Sequence, residues 1–196
     1  MLLMPDTMFA KAAPSSIDEG DLVLRAQRGD SAAVSTLYQS HAPRAYLLAL
    51  RLCAQPALAE DIVQDSFVRV LEGIGNFRGE APFFVWLKRT VTHLSIDALR
   101  RMKRWQYVDI EESVLEHLVA GEPDRQLDAL GLLRQLRPQA RAVLVLHELE
   151  GLSHDEIGAL FQRTPSYSKS LLSRAKQQLG LLLDQQQASK TSGALQ

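Results

Sequence analysis

Residues 59–74, AEDIVQDSFVRVLEGI, predict one amphipathic helix. Its large apolar residues recur at the spacing of a single helical face: Val63, Phe67, Val70 and Ile74. Five other residues face elsewhere and are mostly acidic or polar: Asp61, Gln64, Asp65, Val68 and Glu72. Gly73 and Gly75 are placed to end the helix. The stretch therefore predicts a helix that packs by one side and presents an acidic side outward.

The composition fits a globular protein of one or two domains. The chain has 196 residues, of which 46% are hydrophobic and 23% are charged, and its formal net charge is −1. Cys53 is the single cysteine, which excludes an intramolecular disulfide, and its apolar neighbours predict a buried, inert thiol. The N-terminal residues lack a signal-peptide pattern, and no apolar run approaches the roughly 20 residues of a membrane span. We expect a cytoplasmic protein without membrane insertion.

Helical periodicity dominates the chain and alternating strand patterns are almost absent, so the expected fold class is all-α. Residues 1–16 are expected to form a flexible leader. Acidic residues favour a helix start near Ile17 or Asp18, and Gly29-Asp30 breaks that first helix.

Two longer helical stretches flank the opening helix. The stretch at 31–53 contains Pro43, which predicts a kink or a division. The stretch at 82–103 places Pro82 in its first turn. With the opening helix between them, these stretches predict a first helical domain at 17–104.

An acidic segment separates this domain from a second helical region. Residues 105–126 are rich in Asp and Glu and keep no steady period, which is typical of an interdomain linker. A helix over 138–150 follows, and Ser153 and Glu156 then form a capping box that starts a short helix. A basic helix over 165–179 comes next, so the second domain resembles a helix-turn-helix. We place this domain at 127–183, followed by a flexible tail at 184–196.

Basic and aromatic residues are concentrated in the long helix near residue 90. The cations of this segment are Lys88, Arg89, Arg100, Arg101, Lys103 and Arg104. The aromatic residues around them are Phe77, Phe83, Phe84, Trp86 and Trp105. Cations bind phosphates and exposed rings can stack on unpaired bases, so the segment predicts a surface for nucleic acid. For Trp86 we favour a role in the core.

Four stretches together resemble a sigma factor of bacterial RNA polymerase. They are GDSAAVSTLY, AEDIVQDSFVRVLEGIGNFRG, FVWLKRTVTHLSIDALRRMKR and LRQLRPQARAVLVLHELEGLSHDEIGALFQ. The resemblance is to the small extracytoplasmic-function (ECF) class, which keeps only regions 2 and 4 of the sigma-70 family. It implies two small helical domains, region 2 and region 4, joined by the acidic linker.

The resemblance also implies which partner binds the acidic face of this helix. In this family the helix matching 59–74 docks onto a coiled coil of the polymerase beta-prime subunit. The implied polymerase-binding residues are Asp61, Gln64, Asp65, Val68 and Glu72. The implied partners are core polymerase, through its beta-prime and beta subunits, promoter DNA and an anti-sigma factor; no cofactor, metal or catalytic residue is expected.

Region 2 of the family recognises and opens the minus-ten promoter element. The residues that the resemblance assigns to this role are Phe77, Arg78, Phe83, Lys88, Arg89, His93, Arg100, Arg101, Lys103 and Arg104. His93 departs from the family, which usually has asparagine there, and this predicts an altered base preference.

Region 4 of the family binds the minus-thirty-five element, here through the helix-turn-helix at 153–172 and the residues that follow it. The candidate DNA-binding residues are Ser166, Tyr167, Lys169, Ser170, Leu171, Arg174 and Lys176. Helical spacing assigns Leu171 and Arg174 to the major groove and Lys169 to the phosphates. Leu171 stands where relatives often have arginine, so we expect few base contacts in this element.

Other functions remain open at the level of the sequence. A conventional two-domain regulator would bind its operator directly, and a degenerate sigma homologue would act through protein binding. A magnesium enzyme using Glu60, Asp61 and Asp65 would need a second acidic cluster, which is not evident. The segment beginning at His147 opens like a zinc-protease motif, but Gly151 stands where the second histidine must be.

Overall fold

A computed structural model describes the backbone of residues 18–102 and 129–193, with side chains up to residue 185. Within these ranges every regular element is helical, which agrees with the predicted all-α class. The first group contains α1 (Glu19–Gln27), α2 (Ser31–Cys53), α3 (Pro56–Glu72), a short 3-10 turn (Ile74–Asn76) and α4 (Phe83–Arg101). The second contains α5 (Ala129–Gln135), α6 (Pro138–Leu144), a wider π turn (Val145–Leu149), α7 (His154–Phe161) and α8 (Pro165–Gly193). The predicted leader and linker lie outside the described residues.

The boundaries of the first two helices follow from their capping residues. Asp18 accepts a hydrogen bond from the Gly20 amide at 3.1 Å and so begins α1. Gly29 then adopts a φ of +85°, a left-handed conformation that costs glycine little. Asp30 accepts hydrogen bonds from the first amides of α2, at 2.9 and 3.2 Å. The expected break at Gly29-Asp30 is confirmed.

Pro43 does not divide the second helix. It lies inside α2, which is continuous from Ser31 to Cys53. Packing explains why the helix survives the missing amide hydrogen bond, since Ala45, Leu48 and Leu52 just beyond the proline are buried.

The opening helix packs as its apolar spacing predicts. Its stripe residues, Val63, Phe67, Val70 and Ile74, are all buried. The helix begins earlier than the quoted stretch, at Pro56, and Gly73 is its first residue outside. A Cβ at Gly73 would lie 3.4 Å from the Trp86 ring, so glycine allows α3 and α4 to approach closely here.

The start of α4 is stabilised from a distant part of the chain. Pro82 immediately precedes the helix and makes no side-chain cap, which corrects its predicted place in the first turn. The Glu19 carboxylate of α1 instead accepts a hydrogen bond from the Phe83 amide at 2.8 Å. Its other oxygen lies 3.3 Å from His41 Nε2. Glu19 thus fixes the N-terminus of α4 against α1 and α2.

The second group of helices confirms the predicted capping box and corrects one helix length. The Ser153 hydroxyl and the Glu156 carboxylate satisfy each other's backbone amides at the start of α7. Gly151 takes a φ of +75° in the turn before it. The last helix was predicted to end at residue 179. It continues instead to Gly193.

The only cysteine supplies a test of this packing. Cys53 is 1% exposed, and burial is the main reason that the pKa of its thiol rises from 9.0 to about 11. Because the thiolate is the reactive form, we expect alkylation by iodoacetamide at neutral pH at least about a hundredfold slower than in the urea-unfolded chain. Mass spectrometry over time measures both rates. Equal rates would contradict the buried position of Cys53.

Candidate functional site

The acidic face of α3 is exposed along its whole length. All five predicted polymerase-binding residues are exposed: Asp61, Gln64, Asp65, Val68 and Glu72. Val68, an apolar residue, is 55% exposed at the centre of this face. Among the ion pairs of the described residues, none involves Asp61 or Asp65. The surface therefore combines uncompensated negative charge with an exposed apolar side chain, which suits a basic protein partner better than DNA.

The basic face of α4 is only partly free. Arg89, His93 and Arg101 are exposed along one side of the helix. Lys88 lies 3.3 Å from the Glu150 carboxylate, and Arg100 donates a hydrogen bond to the Leu160 carbonyl. The predicted cations Lys103 and Arg104 lie outside the part of the chain that the structure describes.

The aromatic residues of this segment that the structure describes are buried or half-buried. Phe83 is 1% exposed, so it cannot stack on an unpaired base, and its predicted role in minus-ten binding is wrong. The reason is its position at the first turn of α4, which inserts it between the helices. The Phe77 ring stacks on the half-buried Trp86 ring, with centroids 5.1 Å apart, so Trp86 supports Phe77 from within the bundle.

The loop that carries Phe77 and Arg78 is positioned by a residue that sequence reasoning missed. The Gln27 side-chain amide donates hydrogen bonds to the Ile74 and Phe77 carbonyls, both at 2.9 Å. No local pattern could have found this contact, because Gln27 is 47 and 50 residues away from its acceptors. Arg78 itself is highly exposed and lies 3.9 Å from Glu80.

Five of the seven predicted DNA-binding residues of α8 are exposed, and one, Leu171, is buried. The exposed candidates are Ser166, Lys169, Ser170, Arg174 and Lys176. Leu171 is 7% exposed and belongs to the core, so its assignment to the major groove is wrong. Tyr167 is half-buried, and its hydroxyl donates to the Gln139 side chain at 3.0 Å. Helix α8 packs on both α6 and α7, which buries a broader face than a single stripe.

Two further contacts shape this face. Lys176 lies 2.9 Å from the Glu148 carboxylate and is the first cause of the lowered pKa of that group. Ser168 is buried, and its hydroxyl lies 3.0 Å from His154 Nδ1. Ser173 is also exposed on this face but was not among the predicted DNA-binding residues. Its position next to Arg174 was the only sequence signal for it.

The phosphate role of Lys169 can be tested directly. We expect Lys169→Ala to weaken promoter binding a few-fold for all sequences alike and to reduce the salt dependence by about one counterion. Binding of polymerase holoenzyme to a promoter library at several salt concentrations measures both quantities. Lys169→Arg is the control that keeps the charge. A loss confined to one base position would contradict the assignment.

The described residues offer little for other kinds of site. They contain no group of three or more His, Cys, Asp or Glu side chains that could hold a metal ion. No helix among them is long and apolar enough to cross a membrane.

Comparisons with known proteins find two family models that match the chain. The chain matches the family model for Sigma-70 region 2 over residues 37–106 and the model for Sigma-70, region 4 over residues 126–179. It is 34% identical over 178 residues to the ECF RNA polymerase sigma factor SigE of Mycolicibacterium smegmatis, covering 85% of this chain and 68% of that protein. It is 31% identical over 163 residues to the RNA polymerase sigma factor CarQ of Myxococcus xanthus, covering 81% and 94% of the two chains.

The fold is similar to that of solved sigma factors. The sigma factor RpoE of Bartonella quintana, crystallised with the anti-sigma factor NepR, gives a TM-score of 0.51 at 25% identity and covers 76% of this chain and 96% of that one. The chain belongs to the sigma-70 family of RNA polymerase sigma factors, in its ECF class. It is an alternative sigma factor, a transcription initiation protein that directs core RNA polymerase to promoters. Helices α1–α4 are called region 2 below, and α5–α8 region 4.

Proposed function

We propose that each of the three exposed surfaces carries one step of promoter-directed initiation. The acidic face of α3 binds the beta-prime subunit, the basic face of α4 holds the opened minus-ten strand, and the exposed side of α8 binds the minus-thirty-five element. With region 2 placed at 17–104 and region 4 at 127–183, region 2 carries the polymerase-binding and minus-ten surfaces and region 4 carries the minus-thirty-five surface.

The observation that carries the proposal is the acidic face of α3 beside the basic α4. A protein that only binds DNA gains nothing from an exposed Asp61, Asp65 and Glu72 in the same domain as its cations, because they repel phosphates. A protein that must hold a polymerase and a DNA strand at once needs both charges, on separate faces. The two helices pack on each other, so this arrangement is fixed by the fold.

The remaining partners follow from the relatives. Because RpoE of Bartonella quintana was crystallised with an anti-sigma factor, we extend that kind of partner to this chain. The protein would act in the cytoplasm, where core polymerase is found, and by binding alone, without catalysis or a cofactor of its own.

A gel-shift experiment separates this proposal from a conventional regulator. Promoter DNA selected from the genome is incubated with the chain alone, with core polymerase alone and with both. We expect a specific complex only when both are present. A specific complex formed by the chain alone would favour a directly binding regulator, and no complex in any lane would favour a homologue that acts through proteins only.

A further inference from the structure

The loop at residues 77–82 is held at its start by helix α1. The Gln27 side-chain amide of α1 donates hydrogen bonds to the Ile74 and Phe77 carbonyls, both at 2.9 Å. A side-chain amide nitrogen carries two hydrogens, so this contact uses both of them. Ile74 belongs to the short 3-10 turn before the loop, and α1 packs on that turn. Gln27 therefore fixes the backbone where the loop begins.

The same helix holds the loop at its other end. The Glu19 carboxylate accepts a hydrogen bond at 2.8 Å from the amide of Phe83, the residue that follows the loop. The Nε2 atom of His41 lies 3.3 Å from the second Glu19 oxygen, and the His41 ring packs against the Phe83 ring with centroids 5.2 Å apart. Two side chains of one helix thus set the positions of both loop ends.

Between these two anchors the loop has little support from packing. Residues 78–82 are all exposed. Phe77, at the start of the loop, is half-buried and stacks on the Trp86 ring with centroids 5.1 Å apart. Each loop residue that is not held samples many backbone conformations, and ordering it on binding costs free energy. The shape of the exposed part therefore depends on its anchored ends.

Helix α1 is itself fixed to the helical bundle. Its apolar residues Leu22, Val23 and Ala26 are buried. The Arg25 guanidinium donates two hydrogen bonds to one oxygen of Asp30, at 2.7 and 2.9 Å, and Asp30 is the residue that caps α2. The anchors of the loop are therefore as rigid as the bundle, which is what the support of a binding loop requires.

From these contacts we infer that Gln27 is a positioning residue for capture of the opened minus-ten strand, and that it acts through the 77–82 loop. The inference rests on the proposed minus-ten role of Phe77 and Arg78. It extends that role to α1, which lies outside the residues 37–106 that match the region 2 model. A loop already held in its binding conformation avoids the cost of ordering, so Gln27 contributes to strand affinity without touching DNA.

The test replaces Gln27 by leucine, which has a similar size and no hydrogen-bond donor. A loop variant, Phe77→Ala with Arg78→Ala, removes the side chains through which Gln27 is inferred to act, and the combined variant completes a double-mutant cycle. The matched control is Gln39→Leu, the same change at an exposed residue of α2. Each full-length chain is combined with core polymerase and titrated with a fluorescent single-stranded oligonucleotide that carries the minus-ten sequence of a mapped promoter. Affinity for core polymerase and thermal unfolding are measured for the same variants.

We expect Gln27→Leu to bind the strand about five- to tenfold more weakly, because two hydrogen bonds that fix the loop are lost. In the loop variant the same substitution should change the affinity less than about twofold, because its effect passes through the loop. A general loss of stability in region 2 would instead weaken binding equally in both backgrounds. Gln39→Leu should bind as wild type does, and Gln27→Leu should keep its affinity for core polymerase.

The fluorescence of Trp86 supplies a second measurement that needs no DNA. The chain has two tryptophans, so a Trp105→Phe background leaves Trp86 as the only one. Because the Phe77 ring stacks on Trp86, a loosened loop exposes this indole to a soluble quencher. We expect quenching by acrylamide to increase in Gln27→Leu and to stay unchanged in Gln39→Leu.

The inference requires both results, weaker strand binding that depends on the loop and stronger quenching of the indole. Unchanged strand affinity, unchanged quenching, an equal loss in both backgrounds, or a Gln27→Leu chain that does not fold each overturns it. A loss of affinity in the loop variant without a loss in Gln27→Leu refutes the positioning role alone. Normal affinity of the loop variant itself refutes the proposed minus-ten role of Phe77 and Arg78, and the inference with it.

Discussion

Reversing the charge of Asp61 and Asp65 to lysine should abolish most binding to core polymerase. Both carboxylates are exposed on α3 and have no ion pair among the described residues, so their charge is available to a basic partner. Reversal replaces attraction by repulsion, and the loss of closely paired interfacial charges costs about 2–5 kcal/mol. We therefore expect at least about thirtyfold weaker binding, measured by titration of labelled chain with core polymerase.

The matched control reverses two exposed acids elsewhere, Asp21→Lys and Asp184→Lys, and so produces the same net charge. This control should bind core polymerase within a few-fold of wild type. Equal loss in both variants would mean that binding follows overall charge, and undiminished binding of the α3 variant would mean that its acidic face is merely solvated.

Replacing Leu171 by arginine should unfold region 4 rather than alter promoter choice. Leu171 is 7% exposed within the packing of α8 against α6 and α7. An unpaired charge in that position is expected to destabilise the region by about 3–5 kcal/mol. Thermal unfolding followed by circular dichroism should show the loss of part of the helical signal at a much lower temperature.

Ser170→Arg is the control, since Ser170 is exposed one position away on the same helix. It should remain folded and increase affinity for duplex DNA. A stable Leu171→Arg variant with a changed base preference would indicate that Leu171 faces the DNA groove, and it would contradict the packing of α8.

The capping and spacing signals of the sequence predicted much of the fold. Asp30 and the capping box of Ser153 and Glu156 act within a few residues of their own helix, so the helix starts they mark were predicted closely. The apolar stripe of α3 was predicted because that helix packs by one side. Leu171 was misassigned because α8 is contacted from more than one side, and a single-stripe model then underestimates the buried face.

Contacts between distant segments were outside the reach of sequence reasoning. Glu19 caps α4 from 64 residues away, and Arg141 caps α2 from 88 and 89 residues away. In each case the partner is a backbone group, which every residue carries, so no residue type marks the acceptor. The engagement of Lys88 by Glu150 was missed for a related reason, because a cation in a basic helix gave no sign that a distant acid would reach it.

The most direct test of the account is transcription of genomic DNA by core polymerase with and without this chain, followed by mapping of the transcript 5′ ends. We expect discrete new start sites that appear only with the chain, share minus-ten and minus-thirty-five elements, and disappear with the Asp61→Lys/Asp65→Lys variant. Two results would contradict the proposed function. One is the absence of new start sites from core polymerase that is active with another sigma factor. The other is new start sites that persist with that variant.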